Sequence, residues 1–273
     1  MSKKYSKEAA ARFWSKRLKS TDPLAAVLTY NAPKILNEIY DKWEKESLKM
    51  ALSHSLAGKK ALDIGCGTGR ISLALAKLGA DVTCADLSAA MLKHLKLEAR
   101  KRKVVSRIIT INSSADKLPL DDNSFDIVTC FGLLEHLPPP VRRKTMIEAF
   151  RVLKPKGKML AVVNNSRSVF LKNSYTMKEQ QRNGYFVSLV GLKWLEKICE
   201  KQRMKVKVLA ANPNYAAMYY MLSNSAGSIS TKSQRGIREI LRQSLKKDLG
   251  AASTSKFSSI LASHFLVELR KAN

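Results

Sequence analysis

Three alternating glycines, Gly65, Gly67 and Gly69, close the apolar run Ala61-Leu62-Asp63-Ile64 and lead into the helical stretch Ile71 to Leu78. Glycine turns a backbone where a Cβ would clash, and the start of the following helix offers unpaired N–H groups to a ligand. A strand, a tight turn and a helix in this order make a nucleotide-type pocket. Asp86 ends the next apolar run, Asp81 to Ala85, 21 residues after Gly65. That is the spacing at which an acid on the second strand reaches ribose hydroxyls. A dinucleotide fingerprint would place its third glycine at position 70, where this chain has Arg70, so NAD is disfavoured.

From Lys60 onward, apolar runs alternate with helical stretches, the pattern of a parallel sheet covered on both faces. The expected strands are Ala61–Ile64, Val82–Ala85, Arg107–Asn112, Asp126–Cys130, Lys158–Val163, Met204–Ala210 and Leu261–Leu269. Ser88 caps a helix that buries Met91, Leu92 and Leu95, Pro138 to Pro140 start a helix through Arg151, and Val187 to Gln202 read as another. Lys154 to Gly157 read as the turn back into the sheet. The fold class is therefore α/β, a Rossmann-like doubly wound sheet. Four scattered cysteines without a C-x-x-C pair read as reduced, buried thiols, and no metal cluster is visible.

The string Asp63-x-Gly65-x-Gly67-x-Gly69 resembles the first motif of class I S-adenosylmethionine-dependent methyltransferases. The likeness continues in order through Ser114-Ala115-Asp116-Lys117-Leu118-Pro119, Ser124 to Val128, Leu134-Glu135-His136-Leu137 and Leu153 to Gly157. It is nearest to the branch with the ubiquinone and menaquinone methyltransferases, over about residues 58 to 163. The resemblance implies S-adenosylmethionine as cofactor. It puts Gly65, Gly67 and Gly69 at the methionine part, Asp63 near its ammonium and Asp86 on the ribose. Leu87 would pack on adenine, Ala115 and Asp116 would meet its edge, and Phe131 would offer its carbonyl to the ammonium. It also implies an antiparallel last strand between its two predecessors and an N-terminal helical part across the mouth of the pocket.

The expected organisation is a helical lid over 1–57, the cofactor-binding core over 58–211, a helical cap over 212–258 and the last strand over 259–273. In the lid, residues 6 to 19 read as one helix, Asp22-Pro23 begins a second through Tyr30, and Pro33 opens a third with Ile35, Ile39, Tyr40, Trp43, Ser47 and Met50 along its packing stripe. Because the cap leaves the carboxyl end of a strand, it begins over the pocket. Its tyrosines and methionines are the kind of surface that lines ligand sites. Asn212-Pro213-Asn214-Tyr215 resembles a motif of amino-methylating nucleic-acid enzymes, but out of position.

Sulfonium methyl transfer needs alignment of the nucleophile above all, and a base only when the acceptor must lose a proton. His136, just past the fourth strand, is the first candidate for that proton, with Glu135, Tyr30, Tyr175 and Tyr185 as alternatives. Trp14, Tyr30, Tyr175, Tyr185, Tyr215 and Tyr219 are the candidate substrate contacts. The expected reaction is methyl transfer to O, N or C of a small, partly apolar acceptor. The net charge of +27 motivates the alternative of an RNA or ribosomal acceptor, and the basic helix 232–247 is the expected contact for an anionic partner. A third reading is a non-catalytic cofactor-binding scaffold. With no apolar run near the ~18 residues of a span and no signal-peptide pattern, the expected location is cytoplasmic.

Overall fold

The computed structural model describes residues 5–19, 23–28, 34–52, 55–172, 186–224, 231–250 and 258–271. Its centre is a seven-stranded sheet in the order β3-β2-β1-β4-β5-β7-β6. The strands are β1 Lys60–Ile64, β2 Asp81–Asp86, β3 Ile108–Asn112, β4 Phe125–Phe131, β5 Leu153–Asn164, β6 Met204–Ala211 and β7 His264–Lys271. β1 to β5 run parallel to one another, and β7 lies antiparallel between β5 and β6, as the resemblance implied.

Alternation along the central strands sends side chains to two cores. Ala61, Ile127, Phe131, Leu160 and Val162 face one, and Leu62, Ile64, Val128, Cys130, Met159, Ala161 and Val163 face the other. The first core is covered by α2 (Lys34–Ala51), α3 (Arg70–Lys77) and α4 (Ala89–Lys101). The second is covered by α5 (Pro139–Val152) and by the helix Leu192–Lys201. The four cysteines are free and buried.

Several expected boundaries move for identifiable reasons. Residues Lys154 to Gly157 are a bulge within β5 rather than a turn before it: Leu153 pairs with Phe125 and Lys158 with Ile127. Leu261 ends a short helical turn, Ser258–Leu261, so the last strand starts at His264. The helix expected from Val187 begins only at Leu192, because Gly191 stands at φ +73°. Ahead of it, residues 186–190 form neither helix nor strand and are pinned to the end of β5 by Asn164, whose Oδ1 accepts from Val190 N at 2.6 Å.

The N-terminal region departs further. α1 spans Lys7–Arg17, capped by Ser6, whose hydroxyl accepts from Ala9 N at 3.0 Å. Where a second helix was expected, residues 23–28 form turns. The Arg17 guanidinium donates to the carbonyls of Ala25 and Leu28, the acceptors that a continuing helix would use. α2 buries Ile39, Tyr40, Trp43 and Ser47 as expected, but also Leu36, Glu44 and Leu48. Met50, expected on the stripe, is 63% exposed, because the buried face is centred about one residue away from the expected stripe.

α6 spans Val169–Lys172, α7 Leu192–Lys201, α8 Pro213–Asn224, α9 Thr231–Gly250 and α10 Ser258–Leu261. The buried Asp248 of α9 accepts from the N–H groups of Asn214 and Tyr215, both at 3.0 Å, so α9 caps the start of α8. Tyr215 and Tyr219 of α8 and Leu245 of α9 pack into the same core as α2.

Candidate active site

The groove at the carboxyl ends of β1, β2 and β4 encloses about 970 Å³, open solvent included. This is where an open parallel sheet binds its ligands. Its floor is the glycine turn. Gly65 stands at φ +69° with Leu133 where a Cβ would go, so a larger residue would be strained and would press into the far wall. Gly69 is different. At φ +85° it caps α3, and an added Cβ would lie 2.5 Å from Leu95 of α4. It sets the approach of two helices and is not among the residues lining the groove.

Two aspartates frame the groove, Asp63 buried and Asp86 half-buried. Asp86 accepts from Gly67 N and Ser88 N, each at 2.8 Å, and so ties the end of β2 to the glycine turn. Asp63 lies beneath, accepting from Ser72 Oγ at 2.6 Å and Thr129 Oγ1 at 2.8 Å. Burial raises the carboxyl of Asp63 to about 6, although both hydroxyls pull it down. Asp63, Gly65, Gly67, Asp86, Leu87, Ala115 and Phe131 all line this space. Asp116 stands just outside it, held by Lys7 Nζ at 2.7 Å and by Ser114 Oγ.

α1 crosses the groove. Tyr5, Ala10 and Trp14 line it, Ser15 Oγ and Ser88 Oγ share a hydrogen bond at 2.8 Å, and the Trp14 ring meets His136 edge-on at 5.0 Å. His136 sits in a 3-10 turn, Leu134–His136, directly after β4. Burial lowers its imidazole to about 4, so it is neutral and weakly basic near neutral pH. Tyr215 and Tyr219 do not line this groove; they are buried beside Tyr40, with Tyr215 5.4 Å from that ring. Tyr30, Tyr175 and Tyr185 lie outside the described residues.

Sequence reasoning missed Arg70. It lines the groove and donates to Asp41 at 2.8 Å and Glu44 at 2.7 Å, both on α2. Two acids three residues apart on one helix face, with an arginine directly after the glycine turn, were the available signal. Among the described residues no group of three or more metal-ligating side chains occurs, and no helix is long and apolar enough to cross a membrane.

Residues 62–161 match the methyltransferase domain family. That stretch carries a methyltransferase domain. The domain is similar to the ubiquinone biosynthesis O-methyltransferase of Idiomarina loihiensis, 44% identical over 107 residues, 38% of this chain and 42% of that protein. The Pseudomonas putida protein of the same name is 34% identical over 168 residues, 60% of this chain and 63% of that one. The chain thus spans about half the length of these relatives. In fold, the chain is similar to the geranyl diphosphate C-methyltransferase of Streptomyces coelicolor. The TM-score is 0.63 at 16% identity, over 97% of this chain and 98% of that one.

Proposed function

We propose that this protein transfers the methyl group of S-adenosylmethionine to oxygen, nitrogen or carbon of a small, partly apolar acceptor. The observation that carries this reading is the joining of Asp86 to the glycine turn through Gly67 N–H, inside a groove that Leu87 and Ala115 also line. When bound, the cofactor supplies an electrophilic methyl on a sulfonium, which is a good leaving group. The residues fit such a cation: Asp63 and Asp86 are the acids of the lining, and its one arginine, Arg70, already has two carboxylate partners.

This chain's residues would act by holding and drying the site. Gly65 and Gly67 would allow close approach of the backbone, Asp63 would favour the cationic end, and Trp14 with Tyr5 would cover the groove from the N-terminal side. His136, neutral under Trp14, adds an uncharged wall. The relatives' names support a small-molecule acceptor, and none of those cited names RNA. Arg242, Lys246 and Lys247 are exposed on α9, which supports an anionic partner on that flank.

The test is transfer of labelled methyl from S-adenosylmethionine into a cell extract separated into nuclease-sensitive polymer, protein and solvent-extractable molecules, with Asp86→Ala as control. Label in the extractable fraction that disappears with the variant is expected. Label in nuclease-sensitive polymer would overturn the small-molecule reading.

A further inference from the structure

Arg70 is the one arginine among the residues that line the groove, and only part of its guanidinium is used. One terminal nitrogen, Nη1, makes both of its hydrogen bonds, to Asp41 at 2.8 Å and to Glu44 at 2.7 Å. Among the described residues Nε and the other terminal nitrogen, Nη2, donate to nothing, and neither is closed off by the protein. A guanidinium carries about five N–H donors in one plane, so roughly three are left, two of them parallel along the Nε–Nη2 edge. That edge is the fork that grips a carboxylate by both oxygens. The side chain is only 12% exposed, so water is a poor substitute for the missing partner.

The pairing with α2 fixes the guanidinium without leaving a net positive charge. Asp41 also takes Lys45 Nζ at 2.5 Å, so in this cluster the cations Arg70 and Lys45 meet the acids Asp41 and Glu44. A lone anion therefore gains little there. A group that carries both signs is different, because Asp63 lines the same groove. Burial raises the carboxyl of Asp63, and Arg70 is near enough to draw it down. An acid and an unused guanidinium edge in one groove match the two ends of an α-amino acid, which holds an ammonium and a carboxylate on the same carbon.

Resting on the methyltransferase reading above, we infer that the Nε–Nη2 edge of Arg70 binds the α-carboxylate at the methionine end of the cofactor, beside the ammonium that the resemblance puts at Asp63. Arg70 is then a binding residue, and Asp41 and Glu44 are positioning residues that act through it. The N-terminal region thereby contributes to the cofactor site through α2, although neither acid is among the residues that line the groove. The two carboxylates on Nη1 leave the other edge as the one a ligand can take.

The test is calorimetric titration of the full chain with S-adenosylhomocysteine, with its decarboxylated analogue, which keeps the amine, and with methylthioadenosine, which lacks both groups. Wild type is expected to bind S-adenosylhomocysteine about tenfold to a hundredfold more tightly than the decarboxylated analogue. Arg70→Lys keeps a cation for Asp41 and Glu44 but has no planar fork, and should shrink that ratio to about threefold or less. Asp41→Asn, which loosens the hold on Nη1, should lower the ratio part-way, whereas its effect on methylthioadenosine should be small. A ratio near unity in wild type, or one that Arg70→Lys leaves unmoved, would overturn the proposal. A ratio untouched by Asp41→Asn would reject the role of α2.

Wild-type protein alone supplies a second readout. By nitrogen NMR, one arginine Nε–H resonance should shift with S-adenosylhomocysteine and stay in place with the decarboxylated analogue. No resonance that tells the two ligands apart would overturn the proposal. Benzoate, added as a probe acid to protein saturated with S-adenosylhomocysteine, should leave that resonance where it is. A further shift would give the fork to the carboxylate of an acceptor, and would also overturn it. Wild type that binds neither S-adenosylhomocysteine nor methylthioadenosine would overturn the methyltransferase reading itself, whereas equal binding of S-adenosylhomocysteine and its decarboxylated analogue would overturn this proposal alone.

Discussion

Asp63 and Asp86, at the ends of β1 and β2, accept hydrogen bonds on both oxygens, whereas Glu44 and Glu135, on α2 and on the turn after β4, each keep one buried oxygen without a donor. Burial raises all four carboxyls. The aspartates are nevertheless part of the frame, since hydroxyls and backbone N–H groups hold them in place before any ligand arrives. The glutamates are positioned but incomplete, each with a buried acceptor still unmet. One side of the site is therefore preorganised by the backbone and the other by side chains from distant helices.

Breaking the second side should have the larger effect. Arg70→Met leaves Glu44, which is 1% exposed, without its cation, and should cost about 3–5 kcal/mol, measured by urea unfolding. A loss below about 1 kcal/mol would mean that α2 is not anchored through this pair. The frame side is sharpened by pH. The folded-state value of Asp63, about 6, lies above its ordinary 3.8. Its contribution to stability is present below that ordinary value and is lost as pH rises through about 6. Asp63→Asn should remove about 3 kcal/mol of this dependence in ligand-free protein. Urea midpoints between pH 4 and 7 that fall equally in both proteins would place the slope elsewhere.

Smaller effects probe the edges. Gly69→Ala should cost about 1–3 kcal/mol, because the backbone is left-handed there and the methyl meets Leu95. Loss of cofactor affinity without loss of stability would instead put Gly69 at the ligand. Lys7→Ala should change stability by less than about 1 kcal/mol, since Lys7 is 39% exposed in its pair with Asp116. A larger loss of thermal stability would make that pair a principal anchor of α1.

The same division decides what could be read from the sequence. The glycine turn, Asp86 and the alternating strands are local backbone patterns, so their spacing was enough to foresee them. Asp63, Leu87, Ala115 and Phe131 came from motif resemblance, and the groove brings them together. Gly69 carries the same signature and also lets α3 approach Leu95 of α4, a contact that spacing does not reveal. Met50 and the helix expected from Asp22 failed because the face of α2 and the turns at 23–28 are set by contacts with distant residues, Arg17 among them. The Arg70, Asp41 and Glu44 cluster joins residues 26 to 29 positions apart in the chain, and only the fold reveals such a group.

The most direct test of the account is calorimetric titration of the protein with S-adenosylhomocysteine, alongside an Asp86→Ala variant checked for folding by circular dichroism. The groove described here predicts saturable one-to-one binding by the wild type and affinity weakened by about a hundredfold in the variant, the loss expected when a half-buried hydrogen-bonded carboxylate is removed. Equal affinity in the two proteins, or no binding by the wild type, would contradict it.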